Sequence, residues 1–334
     1  MTNDPNFTGP AGPSTEELIF DATEARRHRK PSRIARVGDH LKREWQLYVM
    51  LIPTILWLAI FLYKPMYGVQ IAFKDYSIFR GVAGSPWIGL EHFQTLFGND
   101  QFLRALRNTI IISFYGLIFG FPMPILLALM FNEILKQWFK KSAQTIVYLP
   151  HFVSSVIIAG IVITAFSPSA GIVNTFLGWF GVGPVYFLTK PEWFRPIFVG
   201  TGIWQEAGFQ SIVYLAAIAG VSPTLYESAV VDGASRWQMM WKITLPSILP
   251  TIIIMLIIRI GNMLEVSFEM IILLYQPATY ETADVVNTFI YRQGIQGGQY
   301  DLAAAAGLFN AVVAFVLVMT ANTISKRYSR TSLW

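Results

Sequence analysis

The 334-residue chain has no cysteine, only four histidines, and charge on only 13% of its residues. The missing cysteines exclude disulfides, thiolate metal sites and cysteine nucleophiles. The histidines stand at 28, 40, 92 and 151, without the spacing of a metal-ligand set. No G-x-x-x-x-G-K-[ST] stretch is present, so the chain has no loop of that kind to cradle nucleotide phosphates. No nucleophile–base arrangement suggests an intramembrane enzyme. Soluble domains carry about 25% charged residues. Here 54% of residues are hydrophobic and the mean hydropathy is +0.47. Over a chain this long, that balance points to an all-α polytopic membrane protein. The first apolar run starts near Trp45, and no short apolar core with a small-residue cleavage site precedes it. The first span is therefore expected to act as its own insertion signal.

A spanning helix needs about 20 mostly apolar residues. Six stretches meet this, near 46–66, 108–131, 143–166, 196–220, 247–274 and 302–324. Lysine and arginine in the connections set the orientation. With the N-terminus inside, cytoplasmic segments hold 16 of the 25 basic residues and outer segments hold eight, with Arg259 inside a span. That excess predicts a multi-pass inner-membrane protein with both termini in the cytoplasm. It also accounts for most of the +5 net charge without invoking nucleic acid. Residues 1–44 form a cytoplasmic head. Within it Ile34, Val37, Leu41 and Trp45 make an apolar stripe beside Arg33, Arg36, His40 and Lys42, the pattern of an interfacial amphipathic helix.

One connection is unusual. Residues 221–246 lie between the fourth and fifth spans and read "VSPTLYESAVVDGASRWQMMWKITLP". Ser222-Pro223 is a helix-start signal. A short helix is expected over 224–232, a turn at Gly233, and a second helix over 235–243 that ends at Pro246. Leu225, Ala229, Met240, Trp241 and Ile243 are more apolar than a solvated loop requires, which suits an element that docks on another protein.

The residues of this loop resemble the "EAA" loop of binding-protein-dependent ABC importer permeases. The typical form is E-A-A-x-x-x-G, nine residues, then I-x-L-P. Glu227, Ala229, Gly233, Ile243, Leu245 and Pro246 match it, Asp232 and Ala234 fit its common D-G-A variant, and Ser228 departs where Ala is usual. The resemblance extends over 45–330 and includes "WIGLEHFQTLF" (87–97) and "ADVVNTFIYRQGIQGGQYDLAAAAGLF" (283–309), which look like segments of permeases for polysaccharide-derived oligosaccharides, uronate-containing ones among them. It implies a six-helix transmembrane domain over 45–330, with 221–246 as a coupling helix seated in a cleft of the ATPase. The coupling loop would comprise Glu227, Ser228, Ala229, Asp232, Gly233, Ala234, Ile243, Leu245 and Pro246. The resemblance implies no cofactor on this chain, ATP and Mg on a separate ATPase dimer, a second and different permease subunit, and an extracytoplasmic solute-binding protein that delivers an oligosaccharide.

Polar side chains inside lipid are costly and mark pathways or interhelical pairs. The fourth span carries Trp204, Gln205, Glu206 and Gln210, and the fifth carries Arg259, Asn262, Glu265 and Glu269. On one reading Trp204, Gln205, Glu206, Gln210, Arg259, Asn262 and Glu265 line the substrate pathway, with Trp204 stacking on a sugar ring. On the other, Arg259 pairs with Glu206 or Glu265 to join helices. Asn310 and Ser154-Ser155 are expected to make interhelical hydrogen bonds. A gradient-driven secondary sugar transporter is the alternative class. Against it stand the absence of an inverted repeat in the six spans and a coupling loop that would have no purpose there.

Overall fold

The computed structural model describes residues 43–329. The predicted amphipathic stripe of the head therefore falls, apart from Trp45, outside the described residues. Helix α1 (Trp45–Phe73) is long and apolar enough to cross a membrane. It carries Pro53 within its first α segment, and a π turn at Ala59–Tyr63 precedes Pro65.

From Gly68 onward the chain forms a second compact unit. Lys74 pairs with Trp87 in an isolated antiparallel bridge, and α2 (Glu91–Phe97) follows. Asn99 then caps α3 (Asp100–Glu133), its side-chain oxygen accepting from the amides of Gln101 (2.9 Å) and Phe102 (3.2 Å). A π turn at Gly116–Gly120 interrupts α3 just before Pro122, where the ladder must lose a donor. Two further helices follow, α4 (Gln137–Phe152) and α5 (Ser155–Ala165), with a 103° bend between them. After α6 (Ile172–Gly178) comes α7 (Pro191–Ala219), which bends by 71° into α8 (Pro223–Val231). Helix α9 (Arg236–Ser247) bends by 60° into α10 (Leu249–Gly261). The chain closes with α11 (Phe268–Leu274), α12 (Val286–Ile290) and α13 (Tyr300–Ser329).

Among the described residues three helices are singly long and apolar enough to span, or up to six spans if each bent pair counts as one. Two of the expected spans differ in form. The third is broken at 153–154, where Ser154 caps α5 through the Ile157 amide instead of bonding another helix. The fifth stops at Gly261, leaving 262–267 outside any helix.

Three buried clusters hold this unit together. Ile112 of α3, Ile158 and Val162 of α5, Phe194 and Phe198 of α7, and Ile271 of α11 form one. Phe102 of α3, Phe289 of α12 and the small residues Ala305 and Ala306 of α13 form the second. The alanine run lets α13 approach closely, since a Cβ at Gly294 would stand only 2.7 Å from the Cβ of Ala303. The third cluster joins Ala128, Tyr214, Ile218, Met240 and Ile248 beside the polar connection. Helix α7 crosses α4 at Gly208, where an added Cβ would collide with the Val147 carbonyl. Asn310, expected to bond a neighbouring helix, has a buried side-chain oxygen with no partner among the described residues.

Candidate functional site

Helices α3, α7 and α10, with the segment after α10, enclose a cavity of about 200 Å³. Ile203, Glu206, Ala207 and Gln210 face it from α7, at the three-to-four spacing of one helix face. Arg259 faces it from the last turn of α10, and Asn262 and Glu265 from the break that follows. The break is fixed by Ser113 of α3, whose hydroxyl donates to the Met263 carbonyl, and by Asn287, whose amide donates to the Val266 carbonyl at 3.4 Å.

Arg259 stands against the π turn of α3. Its Nη2 would lie 3.5 Å from a Cβ at Gly116 and 3.9 Å from one at Gly120. Two glycines thus leave bare backbone where the guanidinium rests. Among the described residues Arg259 has no ion-pair or hydrogen-bond partner, and neither does Glu265. The helix-joining pair expected between Arg259 and Glu206 or Glu265 is therefore not formed. Glu206 is held instead by His151, whose Nδ1 lies 3.2 Å from its Oε2.

Trp204 and Gln205 are not brought into the cavity. Trp204 is exposed on another face of α7, and Gln205 donates to the Val153 carbonyl (3.4 Å) at the broken third span. Glu269 lies in α11, also outside the lining.

The polar connection folds into two helices meeting at a bend. Helix α8 ends in a Schellman arrangement, with the Ala234 amide donating to the Ala229 carbonyl (2.9 Å) and the Gly233 amide to Val230 (3.1 Å). Gly233 sits at φ +77°, in the left-handed region that favours glycine. Ser235 then starts α9 with a reciprocal capping box to Gln238. Ser222 takes the capping backbone position of α8, but its hydroxyl bonds Thr224 (2.8 Å). Pro246 does not end α9 as expected. A π turn at Met240–Thr244 shifts the ladder ahead of the proline, and α9 continues to Ser247 before the bend into α10. Ile243 and Leu245 are half-buried, and buried Thr244 bonds the Tyr226 hydroxyl (2.9 Å), tying α8 to α9 across the bend. Glu227, Ser228, Asp232 and Gly233 are exposed, as are Val230, Val231 and Trp237, while Ala229 and Ala234 are half-buried.

A second polar centre lies outside the cavity lining. Asp284 is fully buried and accepts from Thr288 (2.6 Å) and from Arg292 (2.5 Å), with Arg104 at 3.6 Å. Burial works to lower the Arg292 pKa, but the Asp284 carboxylate outweighs it and holds the guanidinium above its ordinary value. Asn108 donates to the carbonyls of Glu281 and Asp284 (both 2.9 Å) and accepts from Arg195 (2.8 Å). These contacts stitch residues 281–292 onto α3 and α7.

The chain as a whole is similar to known proteins. Residues 120–331 match the family described as "Binding-protein-dependent transport system inner membrane component". The polygalacturonan/rhamnogalacturonan transport system permease protein of Bacillus subtilis (strain 168) is 40% identical over 322 residues, covering 96% of this chain and 98% of that one. A chain from a bacterial ABC transporter involved in the import of the acidic polysaccharide alginate is 60% identical, with TM-score 0.82 over 88% of this chain and 99% of its own. A second such structure, solved in complex with a periplasmic protein bound to alginate pentasaccharide, is 59% identical with TM-score 0.83, covering 89% and 100%. These matches overturn the secondary-transporter alternative: the chain belongs to the family of binding-protein-dependent transport system inner membrane components and is a membrane permease subunit of an ABC importer, a transport component rather than an enzyme.

Proposed function

We propose that the chain forms half of the pathway by which an acidic, uronate-containing oligosaccharide enters the cell. One observation carries the reading. The bend at Gly233 joins the two helical runs that reach the cavity, α7–α8 with Glu206 and Gln210, and α9–α10 with Arg259 and, directly after it, Asn262. Arg259 is ten residues from the start of α10, or about 15 Å along a helix at about 1.5 Å per residue. A push on the bend is therefore delivered by packed helices directly to the cavity wall. The relatives that transport polygalacturonan and alginate support an anionic cargo. So does Arg259, an unpaired guanidinium suited to bidentate contact with a carboxylate. Gln210, Asn262 and Glu265 offer partners for sugar hydroxyls.

Energy arrives from outside the chain. A pair of separate ATPase subunits binds ATP and Mg, and a cleft in one of them receives Glu227–Pro246. Glu227 at the exposed face pairs with a basic group there, and Val230, Val231 and Trp237 fill the apolar part of the cleft. Gly233 sets the bend, Ala229, Ala234, Ile243 and Leu245 are half-buried on the same segment, and the Tyr226–Thr244 bond ties its two short helices together. One coupling segment serves one ATPase, so a second, related permease completes the pathway, and a solute-binding protein loads it from the outer side. Both termini face the cytoplasm, with 1–44 as a cytoplasmic head and 45–330 as the transporting domain. Net transport requires that the cargo bind the outward-facing and inward-facing states with different affinity.

The test is uptake of a labelled uronate oligosaccharide into proteoliposomes that contain both permeases and the ATPase. Uptake is expected only with ATP inside and the loaded binding protein outside. Uptake driven by a proton or sodium gradient without ATP would refute the proposal.

A further inference from the structure

His151 belongs to neither the cavity lining nor the coupling bend, yet it makes the only ion-pair contact to a cavity residue among the described residues. It sits in the last turn of α4, immediately before the 103° break. Its ring lies flat on Phe209, with centroids 3.9 Å apart and planes 3° from parallel, and Phe152 closes edge-on at 5.3 Å. The stack fixes the imidazole so that Nδ1 meets Oε2 of Glu206 at 3.2 Å, the geometry for an N–H donated to a carboxylate. The neighbouring Gln205–Val153 bond and the Gly208–Val147 approach hold the same stretch of α7 against α4.

An untethered Glu206 has two courses inside a low-dielectric membrane cavity. It can move to Arg259, the cation of the same cavity, and mask it. It can also remain free and repel an anionic cargo. We infer that His151 is a positioning residue that ties the Glu206 carboxylate to the α4 side, so that Glu206 neither pairs with Arg259 nor swings toward an acidic glycan. This assigns His151 to substrate selection and rests on the acidic-oligosaccharide reading. It also gives a place to a carboxylate in a pathway for anions: the carboxylate is held to one side by a hydrogen bond.

The His151→Phe variant keeps a flat ring on Phe209 and removes the donor. In the full complex, at saturating loaded binding protein, uronate-oligosaccharide uptake is expected to fall at least about five-fold, the size of one unit-charge contact across about 4 Å in bulk water. Adding Glu206→Gln should restore uptake to within about two-fold of the unaltered complex, because both harmful courses need the negative charge. A merely structural role for His151 gives no such rescue. Unchanged uptake in the single variant, or a double variant as impaired as the single one, overturns the inference. If His151→Phe does not assemble, His151→Asn decides, because its side-chain amide keeps a donor toward Glu206: uptake within about two-fold of the unaltered complex supports the tether, and a loss of about five-fold or more overturns it. An unaltered complex that imports only neutral glycans overturns the substrate reading first, and this inference with it.

Discussion

Replacing Gly233 separates backbone geometry from steric bulk. Gly233 is at φ +77°, and a Cβ built there meets no atom within 4 Å. Space is therefore no obstacle to a side chain, and the whole cost is conformational. A non-glycine residue in the left-handed region costs about 1–2 kcal/mol, and asparagine tolerates the region better than alanine or valine. At about 0.59 kcal/mol for RT, alanine should reduce the population of the correctly bent α8–α9 pair about 5- to 30-fold where no other contact compensates. The Tyr226–Thr244 bond opposes the loss, so the effect on function belongs toward the lower end of that range. The expected order of transport-coupled ATP hydrolysis is Gly, then Asn, then Ala, then Val, measured in proteoliposomes with the loaded binding protein. Bulk alone would put Ala above Asn. Alanine equal to or better than asparagine would refute the argument that the left-handed conformation at 233 sets the coupling geometry.

Other perturbations test other parts of the structure. Arg259→Gln should lower uronate-oligosaccharide uptake ten-fold or more (roughly 1.4 kcal/mol or above) while leaving the assembled complex intact by size-exclusion chromatography. Gly208→Val should destabilise the unit by about 1–3 kcal/mol or more through forced repacking at the Val147 carbonyl, seen as a lower melting temperature of the detergent-purified complex. Asn108→Ala removes two bonds to the 281–284 carbonyls and the acceptor for Arg195, and should cost about 2–4 kcal/mol, read from the same melting curve. Asp284→Ala should cost more, about 3–5 kcal/mol, because it leaves Arg292 buried without its counter-ion.

How far the sequence was readable depended on whether each feature was local. Gly233, Ser235 and the apolar periodicity are short-range signals, and the helices at Pro223–Val231 and Arg236–Ser247 follow from them within a few residues. The search for polar residues inside apolar runs led to Glu206, Gln210, Arg259, Asn262 and Glu265, and these line one cavity. Trp204 and Gln205 were grouped with them by proximity in sequence, but adjacent helix positions point about 100° apart, at 3.6 residues per turn. The prolines misled in a consistent way. Pro246 removes a donor, yet a π turn upstream absorbs the loss and the helix goes on. The break in the third span and the end of α10 at Gly261 were hidden because apolar composition reports depth in lipid and not helical continuity. His151 and Asn108 carried no local signal. Their partners lie 55 to 176 residues away, and only the packing of α3, α4 and α7 brings them together.

The mechanical link between the bend and the ATPase is the central claim, and the absence of native cysteine makes it directly accessible. Ser228 is exposed on α8, so a Ser228→Cys variant can be paired with single cysteines placed along the ATPase cleft. The account requires a disulfide to form between them in the assembled complex, and requires that cross-link to stop both uptake and transport-coupled ATP hydrolysis until it is reduced. Modification of that cysteine by a membrane-impermeant reagent from the outer side, or full transport with the cross-link in place, would contradict it.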